Sequence, residues 1–217
     1  MSTSYLNIVN EVLRRLREEE VSTITQNTYS KMAGDFVNDA KQIVGDSHDW
    51  STLRTTVVVP TVADTTEYSL TNAGERVKIY SAINDTSNFF MRYESPNWFN
   101  NAYYISGEVT GTPDSYTFDG IDTNGDTKVR VYPNPSGVFN LRFDLIAREA
   151  ELTLDTDTTV LPKNAIVHNA VALLARERGE TGGTTAQDYF LIADKHLSDA
   201  IALDAYKNPE EFIYRVP

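Results

Sequence analysis

The chain has 217 residues, 41% of them hydrophobic, and a net charge of −12 from 19 Lys and Arg against 31 Asp and Glu; it contains no cysteine. This length suits one domain or two small ones, no run approaches the ~20 apolar residues that span a bilayer, and the lack of cysteine excludes disulfides, thiolate metal sites and thiol nucleophiles. The acidity argues against nucleic acid as a tightly held ligand, because phosphate contacts rely on Lys and Arg, while DNA remains tolerable as a neighbour that is repelled.

Two helices are expected first. From Tyr5 to Glu20, Ile8, Val9, Val12, Leu13 and Leu16 share one face. Ser4 or Thr3 can cap the start, and the acidic run Glu18-Glu19-Glu20 suits a helix C-terminus poorly. No basic leader with an apolar run precedes this segment, so no signal peptide is expected and synthesis in a reducing cytoplasm is the default. A second helix begins near Thr28, with Tyr29, Met32, Phe36, Ala40 and Ile43 at three- and four-residue steps and Gly45 as its end.

From about Trp50 to Arg148 the period becomes two. "LRTTVVVP", "TEYSL", "RVKIYSAI", "NFFMRY", "KVRVY" and "VFNLRFDLI" predict six or seven strands. Phe139, Leu141, Phe143 and Leu145 alternate with Asn140, Arg142 and Asp144, the pattern of an antiparallel sheet with one wet side.

The last third returns to helix. Pro162 suits a first turn, and Ile166, Ala170, Leu173 and Leu174 form a stripe ending at Gly179. After "GETGGTT", Thr185 can cap a fourth helix lined by Tyr189, Phe190, Ala193, Leu197, Ala200 and Ile201. The expected fold class is therefore α+β: a four-helix bundle of an N-terminal pair (1–49) and a C-terminal pair (151–206), an inserted antiparallel β-domain (50–150), and an extended C-terminal arm (207–217). The arm carries Phe212, Ile213, Tyr214, Arg215 and Val216, an apolar strip too short to fold alone. It either packs on its own domain or docks on another chain.

No set of catalytic residues assembles from this sequence. His48, His168 and His196 lack zinc-ligand spacing, and there is no nucleophile elbow, P-loop or dinucleotide fingerprint. No catalytic residue, cofactor or metal ligand is assigned. "DTNGD" at 122–126 offers calcium-loop acids, but the sixth position is Thr127 instead of Gly and the twelfth is Pro133 instead of Glu. Asn124-Gly125 instead predicts a two-residue type I′ hairpin turn. The segment "ESPNWFNNAYY" gathers Trp98, Phe99, Tyr103 and Tyr104 beside three Asn. Ser95-Pro96 predicts a short helix whose aromatics cap the sheet; exposed, the same rings would form a protein-contact patch or stack on sugars.

Gly111-Thr112-Pro113, Tyr116, and Val129-Arg130-Val131-Tyr132-Pro133-Asn134-Pro135 resemble a pattern of bacteriophage head–tail adaptor proteins. The alternating strand through Phe143, Leu152-Thr153, the Asp155-Thr156-Asp157 linker, Leu161-Pro162, Trp50-Ser51-Thr52-Leu53 and Thr65-Thr66-Glu67-Tyr68-Ser69-Leu70 extend the likeness over most of the chain. The podovirus-like tail adaptors are the subgroup it most resembles. The resemblance implies a non-enzymatic virion neck protein: a ring, typically dodecameric, joining the portal protein to a tail or nozzle protein. It would extend a channel through which DNA passes without sequence-specific binding. Phe212–Val216 would then meet the portal or a neighbouring subunit, and Trp98, Phe99, Tyr103 and Tyr104 the tail side. The alternative is a carbohydrate- or receptor-binding virion protein using Trp98, Tyr103 and Tyr104.

Overall fold

The computed structural model describes residues 3–178 and 184–207, the side chains of 184–186 excepted. The expected stop at Gly179, the glycine-rich connection, the cap at Thr185 and the arm at 208–217 lie outside the described residues. In chain order the first elements are β1 (Thr3–Ser4), α1 (Tyr5–Arg15), α2 (Thr28–Ser47), β2 (Arg54–Pro60), β3 (Glu67–Ser69), β4 (Val77–Asn84), β5 (Phe89–Phe90), β6 (Arg92–Tyr93) and α3 (Pro96–Asn100). There follow β7 (Thr110–Gly111), β8 (Ser115–Ile121), β9 (Thr127–Tyr132), β10 (Asn134–Pro135), β11 (Asn140–Ala147), β12 (Thr158–Thr159), α4 (Lys163–Glu177) and α5 (Thr184–Ala205). The chain is α+β. It divides into a helical unit drawn from 1–53 and 149–217 and a β unit formed by 54–148.

In the helical unit, the Ser4 hydroxyl caps α1 by accepting from the Asn7 N–H at 3.4 Å, and Ile8, Val9, Val12 and Leu13 are buried. The helix expected to reach Glu20 stops at Arg15. Arg17 takes a left-handed conformation (φ 61°) and the Glu18 N–H turns back to the Leu13 carbonyl at 2.9 Å. The three glutamates thus leave the helix before its dipole could oppose them. Asn10 holds the returning loop with both ends of its amide, to the N–H and the C=O of Val21 at 2.9 Å each.

Helix α2 opens with a capping box between Asn27 and Ser30. It runs through Gly45 to Ser47. Gly45 is buried inside the helix, where a Cβ would make only an ordinary 3.5 Å contact with a Leu161 methyl, whereas one at Gly34 would lie only 2.6 Å from the Tyr5 hydroxyl. The buried line is Ala33, Val37, Ala40 and Val44. Of the expected line through Tyr29, Met32, Phe36, Ala40 and Ile43, Ala40 is buried, Ile43 is exposed and the others are half-buried. Small residues make the helix contact, and the large ones flank it.

Helix α4 is buried on nearly every side, through Ala165, Ile166, Val167, Ala170, Val171, Ala172, Leu174 and Ala175. It packs against α1, α2 and α5, as a helix apolar all round should. Pro162 caps it from outside, and the first turn begins at Lys163. The pair β1–β12 joins Thr3 to Thr159 across the unit.

The β unit holds two four-stranded sheets, ordered β2-β11-β4-β5 and β3-β9-β8-β6. Val59, Ala82, Leu141, Phe143 and Leu145 from the first share one core with Tyr116, Val129 and Val131 from the second. Register follows the alternation: Leu141 faces Val59 and Phe143 faces Val57, leaving Arg142 and Asp144 outward. The run "NFFMRY" is not one strand. It breaks at buried Met91, so that β5 joins β4 in one sheet and β6 joins β8 in the other. The expected antiparallel domain also contains parallel pairs, β6 with β8 and β7 with β10. The strand total exceeds six or seven because two-residue strands leave no periodic signal.

Candidate functional site

Strand β9 points Val129 and Val131 inward and Lys128, Arg130 and Tyr132 outward. Tyr132 organises the aromatic segment. The Ser95 hydroxyl caps α3 by accepting from the Trp98 N–H at 3.3 Å, with Pro96 in the first turn. A π-helical turn, Asn101–Ile105, continues it. Trp98 and Tyr103 meet the Tyr132 ring edge-on at 5.2 and 5.3 Å, and Phe99 lies at 6.3 Å. Such edge-to-face pairs are favourable beyond their buried area.

The four rings divide in two. Phe99 is fully buried, and the Tyr103 hydroxyl donates to the Val131 carbonyl at 2.5 Å. Burial, with Glu108 nearby, pushes the Tyr103 phenol well above its ordinary pKa. Trp98 is exposed on one side, while Tyr104 and Ile105 stand out at 77% and 80% exposure, followed by exposed Val109. The apolar side chains this segment exposes are therefore Trp98, Tyr104, Ile105 and Val109. Ile105, exposed at the end of the π-turn, and Val109, in the loop beyond it, carry no aromatic signal that marks them in the sequence.

Charges rim this surface. Glu67 accepts from Lys128 and Arg130 at 3.0 Å each, and Arg130 also reaches Asp119 at 3.2 Å. The Lys128 and Arg130 donors hold the Glu67 carboxyl below its usual range. Next to Tyr132, β7 and β10 bring the two strongest pieces of the adaptor-like pattern together. Asn134 pairs with Thr110 and Pro135 with Gly111, and a Cβ on Gly111 would lie 3.6 Å from Pro133.

The acids of 122–126 serve the chain itself. Asp122 accepts from the N–H groups of Asn124 at 2.8 Å and Asp126 at 2.9 Å, and these backbone donors, Asp126 first, lower its pKa. Asp126 accepts from Asn72 at 3.0 Å and Gly74 at 2.9 Å, tying down the loop before β4. The hairpin is real, but its turn is not type I′. Ile121 pairs with Thr127 across a longer loop, and within it only Gly125 is left-handed (φ 84°). That is the geometry of a three-residue loop closed by a glycine. Among the described residues no group of three or more His, Asp or Glu converges as a metal site.

The histidines lie in the helical unit. His168 of α4 and His196 of α5 stack with ring centroids 4.0 Å apart. Burial, then His196 and Arg15, pushes the His168 pKa down to about 4. Near the end of α5, Asp204 is 3% exposed and accepts from the Ser51 N–H at 2.7 Å, the Ser51 hydroxyl at 2.5 Å and Lys207 at 3.2 Å. Burial would raise its pKa, but these donors bring it below the usual range. His48 stands 3.5 Å from the same carboxylate. The order Ser–Asp–His is not that of a hydrolytic triad, where the imidazole stands between. Phe212, Ile213, Tyr214, Arg215 and Val216 lie outside the described residues.

Apolar side chains presented on a rigid aromatic base, with nearby acids committed to backbone donors and basic partners, are features of a structural protein that works by contact. The sequence model of the SU10 adaptor protein family matches residues 3–210, and the chain belongs to that family. It is a bacteriophage adaptor protein, a structural component of the virion that contacts other head or tail proteins. No curated protein matches the chain in sequence. Among the described residues, no helix is long and apolar enough to cross a membrane.

Proposed function

We propose that the chain forms a closed ring, the dodecamer of podovirus-like adaptors, that joins the portal to a tail or nozzle protein in the virion neck and extends the DNA channel. The family match over residues 3–210 carries this reading. In it the four long helices act as one bundle forming the ring body, the β-domain is an insertion facing the tail, and the arm docks on the portal or a neighbouring subunit. A closed ring needs two different complementary faces on every subunit. Charge distribution supports the assignment of the body. Residues 1–53 and 149–217 hold 11 Lys and Arg against 20 Asp and Glu (net −9), whereas 54–148 hold 8 against 11 (net −3). A strongly acidic wall lets DNA slide without gripping it.

On the tail side, contact falls to Trp98 and Tyr104, joined by Ile105 and Val109, because Phe99 is interior and the Tyr103 hydroxyl is engaged. The carbohydrate- or receptor-binding alternative loses the same ring of Tyr103 and has no separate observation in its favour.

Deleting residues 209–217 tests the reading. The shortened chain is expected to remain a folded monomer and to lose association with the portal in a pull-down; normal assembly would sink the arm's assigned role. The intact protein alone is expected to be largely monomeric in light scattering and to form rings only on a portal template. A stable ring without portal would refute templated assembly.

A further inference from the structure

Of the four strands that edge the two sheets, three are blunt. β3, β5 and β6 are two or three residues long, and β3 and β6 carry charge at Glu67 and Arg92. Short and charged edges are the usual protection against strand addition. β2 has neither. It runs for seven residues in unbroken register with β11, and from Thr55 to Ala63 the chain has no charged side chain. Its one charge, Arg54, is drawn across the sheet to lie 5.6 Å over the Tyr80 ring of β4. The Thr56 hydroxyl likewise turns inward, donating to Asp144 of β11 at 2.7 Å.

The ladder fixes which backbone groups remain. The Thr61 N–H donates to the Phe139 carbonyl and the Asp85 N–H to the Asn140 carbonyl, both at 2.9 Å. Odd positions of β11 therefore bond toward β2 and even ones toward β4. In β2, Thr55, Val57 and Val59 bond to β11, opposite Leu145, Phe143 and Leu141. The N–H and C=O groups of Thr56 and Val58 point the other way, with no partner among the described residues. Beside them Val58 is 51% exposed, and Val62 and Val138, two residues beyond the ends of their strands, are 60% and 70% exposed.

We propose that this edge accepts an extended, uncharged, β-branched strand of another head or tail protein, which joins the sheet as a fifth strand through the N–H and C=O groups of Thr56 and Val58. Neutrality selects the occupant. A charge seated beside Val58 would lose water and find no partner on the edge, whereas alternate side chains of a β-branched strand extend the apolar surface of Val57 on one face and of Val58 on the other. Edge lengths argue against a second copy. The one described edge long enough to answer β2 is β2 itself, and the two-fold pairing this demands is foreign to a ring of head-to-tail contacts. That exclusion rests on the ring reading; the open edge does not.

The probe is the peptide acetyl-Ser-Thr-Ile-Thr-Val-Thr-Ser-amide, titrated into the full chain. At about ten times its Kd it should slow hydrogen exchange at the Thr56 and Val58 amides about tenfold. Val58→Pro removes a donor from the free edge and none from the β11 ladder, so it should keep the urea midpoint reported by Trp98 and weaken peptide binding about tenfold. Should proline unfold the unit, Val58→Lys tests the same edge by charge and should weaken binding in the same direction. Absence of binding, protection elsewhere than at Thr56 and Val58, or a folded variant that binds like the parent would each overturn the proposal. So would dimers of the chain alone that Val58→Lys abolishes, because they would assign the edge to a second copy. The measurement uses no portal, so its failure leaves the ring reading intact, and loss of portal binding leaves capture of the peptide intact.

Discussion

The β unit and the helical unit are closed by opposite means. Residues 54–148 supply every strand of both four-stranded sheets, so the β core closes within one stretch of chain. The helical unit must bring 1–53 together with 149 onward, across an insertion of about 95 residues, before α4 can cover α1 and α2. The difference extends to chemistry: all three histidines and most of the net charge belong to the helical unit. Continuity in sequence gives one unit independence, and the other depends on both ends of the chain.

The largest test of that contrast is excision. A fragment of 54–148 should melt cooperatively by circular dichroism, while 1–53 alone should lack stable helix, since its buried stripes have no cover. A non-cooperative β fragment would break the contrast outright. Within the β unit, Phe143→Ala removes a fully buried ring that meets Tyr116 edge-on at 5.6 Å and should cost about 3–5 kcal/mol in urea unfolding. The effect should appear in Trp98 fluorescence and spare Trp50, because each unit holds one tryptophan.

Acid should act on the other side. His168 keeps a pKa of about 4 in the fold against 6.5 outside it, so between those values the unfolded chain binds more protons. The helical unit therefore loses stability as pH falls from about 6.5 to about 4, and the histidine-free β unit lacks this component. Urea midpoints reported by Trp50 at pH 7 and pH 5 measure it, and His168→Gln should flatten the slope. The smallest effect is in the hairpin. Gly125→Ala at φ 84° should cost about 1 kcal/mol, and Asn124→Ala only a few tenths, since Asn124 does not occupy the left-handed region. Equal costs would restore the type I′ turn.

Legibility in the sequence followed the range of the forces involved. The α1 stripe, the Ser4 and Ser95 caps and the β11 alternation are local and were readable. Helix ends were less so: no glycine marks the stop after Arg15, and Gly45, which looks like a stop, lies inside α2, which runs on to Ser47. The α2 face was misjudged because large apolar residues weigh more in a periodicity than the alanines and glycines that make close contact. The acids of 122–126 failed the calcium-loop spacing in the sequence itself, but the partners Asp126 finds at Asn72 and Gly74, some fifty positions away, were not legible there. The surface around Trp98 and Tyr104 was half legible. Composition marked the segment, but only the packing on Tyr132 separates its buried rings from its exposed ones.

The interleaving of the helical unit also orders events during synthesis. A growing chain exposes the apolar stripes of α1 and α2 from the outset, and their cover, α4, emerges only after residues 163–177 have been made. The β unit can close in the interval, because domains fold as they leave the ribosome. The surface that covers α1 and α2 is thus translated only after the whole β unit, and a chain that stops short of α4 has no finished helical body to present to an assembling particle.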